Sequence, residues 1–72
     1  MLISVWVEGY AVTGNSAGAY LKDRVEAKTL QDACDKIASR DPEWKKYYNR
    51  DRMTWWGCRI FDNEADARKF FG

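Results

Sequence analysis

Histidine is absent from the 72 residues. Ser-His and Cys-His nucleophile pairs, histidine metal ligands and the commonest general acid-base group near neutral pH are absent with it. An enzyme of this length would need a cofactor or a partner to supply the chemistry, because a pocket of several hundred Å3 is hard to fit in so few residues. Cysteine is scarce too. The two present allow at most one disulfide, and Cys34 falls on the apolar face of a predicted helix while Cys58 lies in a predicted strand. Helix and sheet axes roughly 10 Å apart do not suit a bridge that wants Cα atoms within ~7 Å, so both read as buried thiols. With neither a CxxC pair nor a zinc-ligand spacing, no metal or other cofactor is expected. No run approaches the ~20 apolar residues of a membrane span, and Met1-Leu2-Ile3-Ser4 has no basic start leading into a long apolar stretch. A cytoplasmic location is expected. Nor does either charge dominate: twelve Lys and Arg stand against eleven Asp and Glu, net +1, which argues against a non-specific duplex binder.

What is present is an apolar content of 46% and an aromatic content of 15%, enough for one core and one domain over residues 1–72. Ile3, Val5, Val7 and Ala11 alternate with Leu2, Trp6, Glu8 and Tyr10, the period of a strand. Thr13 to Gly18 is turn chemistry, and Ala19 to Ala27 resumes an extended pattern, giving a hairpin. Asp23 interrupts the apolar face of Ala19, Leu21, Val25 and Ala27, which suggests a bulge or a strand end that leaves the core. The turn lacks a Gly-Lys-Ser/Thr ending and a following helix, so it is no phosphate cradle.

Thr29 as N-cap with Asp32 three residues on begins a helix over 29–39. Its stripe is Leu30, Ala33, Cys34, Ile37 and Ala38. Asp41-Pro42 starts a short second helix to about Tyr48. Met53 to Phe61 reads as a third strand, with Trp56, Cys58 and Ile60 on one face and Trp55, Arg59 and Phe61 on the other. Gly57 within it suggests a bulge or a close approach. Asp62-Asn63-Glu64 caps a last helical turn, in which Ala67, Phe70 and Phe71 form an apolar edge. The expected fold is α+β, in the order β-β-α-(short α)-β-α, with a three-stranded antiparallel sheet and the main helix packed on one face.

That arrangement leaves a second sheet face carrying Trp6, Tyr10, Tyr20, Trp55 and Phe61 among Glu8, Lys22, Arg24 and Arg59. Lys45, Lys46, Arg50 and Arg52 border it, in a run from Trp44 to Arg59 whose only acid is Asp51. The candidate binding residues are Trp6, Tyr10, Tyr20, Arg24, Lys45, Lys46, Arg50, Arg52, Trp55 and Arg59. Aromatic rings beside cations suit protein hot spots and equally the stacking of single-stranded bases. The plain alternatives are that a helix folds over the face as a second small core, and that Trp44, Tyr47 and Tyr48 only anchor the short helix. Asp32 with Asp35 and Glu64 with Asp66 read as solvated or capping carboxylates, without a catalytic role.

The segments Val7-Glu8-Gly9-Tyr10-Ala11-Val12-Thr13-Gly14-Asn15-Ser16 and Val25-Glu26-Ala27-Lys28-Thr29-Leu30-Gln31-Asp32-Ala33-Cys34 resemble small accessory proteins encoded by bacteriophages and prophages. Those open with a VEGY…TG hairpin and run into a Glu-Ala helix start. The second segment also looks like the strand-to-helix joint of HicB-like antitoxin domains. The Pro-Asp and Gly-Cys segment of that pattern is missing, so antitoxin function does not carry over. The phage resemblance covers the first half of the chain and implies a compact protein that binds and blocks a host factor. The expected function is therefore stoichiometric binding to a host or phage protein, or to a second copy as a homodimer. The competing class is a single-stranded nucleic-acid binder.

Overall fold

The computed structural model describes residues 1–9 and 18–69. Tyr10, nearly all of the 13–18 turn and the Phe70-Phe71 pair lie outside the described residues. The element order is β1 (Leu2–Val7), β2 (Tyr20–Glu26), α1 (Leu30–Ala38), α2 (Pro42–Tyr47), β3 (Tyr48–Asn49), β4 (Thr54–Trp55), β5 (Cys58–Phe61) and α3 (Glu64–Ala67). The strands form one five-stranded sheet in the order β2-β1-β5-β4-β3, with every pairing antiparallel, curled into a half-barrel.

This overturns the expected three-stranded sheet with a main helix laid on it. The segment read as one strand from Met53 to Phe61 is two strands joined at Trp56-Gly57, where both residues have positive φ, +55° and +78°. That is the pattern of a two-residue type I′ turn, whose twist matches that of the strands it joins. Trp55 therefore pairs with Cys58, and Tyr48 and Asn49 pair back onto Trp55 and Thr54. The cover is divided as well. Ala33, Cys34 and Ile37 of α1 share the core inside the curl with Trp44 of α2, against Ile3, Val5, Val7, Val25, Ala27, Cys58 and Ile60.

Local chemistry sets the helix ends. The Thr29 hydroxyl accepts from the Asp32 N–H at 3.0 Å, while the Asp32 carboxylate accepts from the Lys28 N–H at 3.2 Å, two otherwise orphaned donors satisfied at one helix start. Asp41 then caps α2, its carboxylate accepting from the N–H groups of Glu43 and Trp44 at 3.1 Å each. Pro42 takes the first helical position, where no N–H is needed. The result seats Trp44, fully buried, at the centre of the core.

A bulge in β2 decides which side chains reach the inner face. Val5 pairs with Asp23 but Trp6 pairs with Leu21, so Lys22 is the extra residue and the alternation of side chains inverts across it. Tyr20 consequently lies opposite Val7, on the core side. Lys22 reaches inward too, its ammonium 2.7 Å from Asp41 and 5.6 Å from the Trp44 ring centroid.

Candidate functional site

The sheet face expected from alternation is not assembled. Trp6, Arg24, Arg59 and Phe61 are outward of the core, whereas Tyr20 and Trp55 sit on the inner side beside Val7 and Cys58. The bulge at Lys22 moves the first and the Trp56-Gly57 turn moves the second. Trp6 pairs with Phe61, is half-buried, and has the Arg68 guanidinium 5.9 Å from its ring. Against this outer side α3 docks with Ala67 fully buried, so Trp6 is partly covered and does not lie on an open face. Arg24 stays exposed, its Nε 3.4 Å from the Ser4 hydroxyl.

Of the basic border expected at Lys45, Lys46, Arg50 and Arg52, Arg50 is engaged inside the chain, as are several cations away from that border. Arg50 donates to Asp35 at 3.1 Å, and the Arg59 guanidinium and backbone N–H both donate to Glu8, whose side chain is only 6% exposed. Arg40 pairs with Asp23 and Lys22 with Asp41. Among the described residues Lys45, Lys46 and Arg52 make no ion pair within the chain.

What the fold does bring together is a line of aromatic rings across the open side of the half-barrel. Trp44 stacks between Tyr48 and Trp55, with centroids at 5.7 and 5.4 Å. Trp55 in turn meets Tyr20 and Trp56 edge-on, each at 6.4 Å. Trp56 stacks on Tyr47 at 3.6 Å, and the Lys46 ammonium lies 5.4 Å from the Tyr47 ring. The inner end is structural: the Trp44 indole N–H donates to the Cys34 carbonyl at 3.1 Å. The outer end is open to solvent. Tyr20 is 39% exposed and Trp56 is 48% exposed.

Two features set the outer end apart from ordinary surface. A bulky aromatic residue at φ +55° occupies a conformation that glycine and asparagine adopt far more readily, so Trp56 is held there at a cost. Backbone held in such a region concentrates at functional surfaces. The Trp55 indole N–H, moreover, is buried and has no hydrogen-bond acceptor among the described residues, an omission worth about 1–3 kcal/mol. Tyr20, Trp55 and Lys46 were legible as candidates from composition. Trp56 and Tyr47 stand in the same aromatic-basic run, but alternation puts the first at a core-facing strand position and the second reads as a helix anchor.

The remaining reactive groups are held inert. Burial, and after it the Asp35 charge, pushes the Cys34 thiol up to about 12, against a hydrogen bond from Tyr48 that acts the other way. Burial and the charge of Glu8 raise Cys58. Both are free thiols with their nucleophilic form suppressed. The Tyr48 hydroxyl donates to Asp35 at 3.1 Å, and burial, Cys34 and Asp35 hold the phenol neutral well above its ordinary range. Burial, then Cys58, then Glu43 raise Tyr20 to about 12.

The signs give a pH window. Raised folded values for Cys34, Tyr20 and Tyr48 mean stability fully present below their unfolded values, about 8.5 for the thiol and about 10 for the phenols, and lost as pH rises through the folded ones. Asp41 is lowered, first by the Lys22 hydrogen bond and then by the Trp44 N–H. Its contribution is present above an unfolded value of about 3.9 and is lost as pH falls through the folded one. Circular dichroism across pH is expected to show a plateau between about 5 and 8 with loss on both sides, and a thiol reagent should label neither cysteine on that plateau. Rapid labelling of native protein would contradict the burial argument.

No helix among the described residues is long and apolar enough to cross a membrane. Comparison with known proteins finds no matching family model, no similar curated protein and no similar solved structure.

Proposed function

We propose that the protein is a non-catalytic binding module that docks stoichiometrically on a partner protein through Tyr20, Trp55, Trp56 and Tyr47. The observation that carries this reading is Trp56: an exposed ring held at positive φ and stacked on Tyr47. A rigid aromatic anchor with little conformational freedom left to lose is what interface hot spots are made of. The near-neutral balance of twelve Lys and Arg against eleven Asp and Glu favours a protein over a phosphate backbone, since binding nucleic acid draws its free energy from cations that neutralise phosphates. The phage resemblance of the first half supports a partner in the host cell, which such a module would block by occupancy.

Selection from a random-peptide display library tests this directly. The wild type should retain peptides that a Tyr20→Ser, Trp56→Ser double variant loses, while the variant keeps its circular dichroism spectrum. Tryptophan quenching by mixed single-stranded DNA and RNA oligomers, lost between low salt and about 200 mM, would favour the nucleic-acid reading instead. Concentration-dependent sedimentation abolished by the double variant would identify the partner as a second copy of the chain.

A further inference from the structure

The exposed rings depend on a neighbour that is itself thinly held. Trp56 keeps its positive φ while stacked on Tyr47, and its N–H donates to the Tyr47 carbonyl at 3.3 Å, so the ring is placed by the pairing of β3 with β4. β3 is the edge of the sheet and has two residues, Tyr48 and Asn49, opposite Trp55 and Thr54. A ladder this short is marginal by itself.

What fastens the edge lies on α1. The Asp35 carboxylate accepts from the Tyr48 hydroxyl through one oxygen and from Arg50 Nε through the other, each at 3.1 Å. Gln31, one helical turn earlier on the same face, donates to the Arg50 carbonyl at 3.4 Å. Two side chains of α1 thus hold the segment that runs from Tyr48 to Arg50. Tyr48 is the inner contact, its ring stacked on Trp44 and packed against the core cluster. Arg50 is the outer one. The side chains of Asp35 and Arg50 are 38% and 58% exposed, and solvent weakens an ion pair in such a position. A short edge with a weak outer fastening is an element that opens while the rest of the fold stays closed.

Resting on the docking reading above, we infer that residues 48–52 form a strap latched to α1 by Asp35, and that the closed strap is the state competent for docking. Asp35 is a positioning residue, acting through Tyr48 and Arg50. Opening withdraws β3 from Trp55 and lets the turn at Trp56, which runs against propensity, relax out of its positive φ. A partner that binds the closed state alone must in turn hold the strap shut.

The test reads opening and docking separately, on the whole protein. Hydrogen exchange followed by NMR reports the strap at the Trp56 N–H, and reports the β1-β5 ladder at the Glu8 N–H, which donates to the Arg59 carbonyl at 3.0 Å. Asp35→Arg repels Arg50 and offers Tyr48 no acceptor. It should speed exchange at Trp56 about tenfold or more relative to Glu8, and weaken a peptide selected on the wild type about tenfold as the closed state is depopulated. The charge swap Asp35→Arg, Arg50→Glu should restore both, which a general loss of stability would not do. In the wild type the same peptide at saturation should slow exchange at Trp56. Equal acceleration at Trp56 and Glu8 in Asp35→Arg, or no recovery in the swap, would overturn the strap. If exchange responds as expected but peptide affinity does not, Asp35 does not position the docking surface, and the docking reading survives through the loss seen in the Tyr20, Trp56 double variant. Failure to select any peptide on the wild type overturns both.

Discussion

Replacing Trp44 with alanine is expected to cost about 3–5 kcal/mol, the range for removing a fully buried aromatic side chain. Trp44 is wholly inaccessible, stacks on Tyr48 and Trp55 at once, and spans from α2 to the Cys34 carbonyl of α1. A domain of this size sits near the low end of the ~5–15 kcal/mol typical of folded proteins, so the loss should leave much of the chain unfolded at room temperature. Trp44→Phe keeps most of the ring contact and gives up the hydrogen bond, and should cost about 1–2 kcal/mol. Urea denaturation followed by far-ultraviolet circular dichroism measures both. A cost below about 1 kcal/mol for the alanine variant would mean that the core closes without its central ring.

The second large effect is expected at Glu8. Its carboxylate accepts from the Arg59 backbone N–H at 2.6 Å and from the guanidinium at 3.2 and 3.3 Å, tying β1 to β5 across 51 residues of sequence. Glu8→Ala strands the N–H and removes the compensation for a charge drawn partly out of water. Because Arg59 is about half exposed, solvent recovers part of that, and about 2–3 kcal/mol is expected in place of the ~3–5 of a fully buried pair. Glu8→Gln retains an acceptor for the N–H and should cost about half as much. The same denaturation experiment decides it, and equal costs for the two variants would place the whole effect in the charge.

Much of this architecture is written locally. Thr29 with Asp32 and Asp41 with Pro42 announce α1 and α2, since caps act within four residues, and the alternation from Leu2 to Val7 announces β1. The rest depends on partners far along the chain. That β2 is irregular shows in Asp23, but Lys22 is the bulged residue because its ammonium finds Asp41 and the face of Trp44, which the local pattern cannot register. The Trp56-Gly57 turn runs against propensity outright: an Asn-Gly pair would have marked a hairpin, whereas tryptophan at positive φ is held by stacking on Tyr47 and by the Trp56 N–H donating to the Tyr47 carbonyl at 3.3 Å. Without a recognisable turn signal there, simple alternation runs the two strands together and puts Trp55 on the face opposite Cys58, its actual partner. The aromatic and basic residue types of the site were therefore readable, but not their grouping. Glu8 shows the same limit, since alternation marks it as a face charge and only the approach of β5 makes it buried.

The tension at Trp56 supplies the most direct test of the claim that this surface serves binding and not folding. Trp56→Asn places an asparagine before Gly57, the pair that a type I′ turn favours, and removes about 1–2 kcal/mol of left-handed strain against about 0.5–1.5 kcal/mol of lost stacking. Urea denaturation of this variant should therefore show stability equal to or above that of the wild type, while peptides selected by the wild type no longer bind. A loss of about 2 kcal/mol or more would show that the exposed ring is held for the fold, and the docking reading would be contradicted.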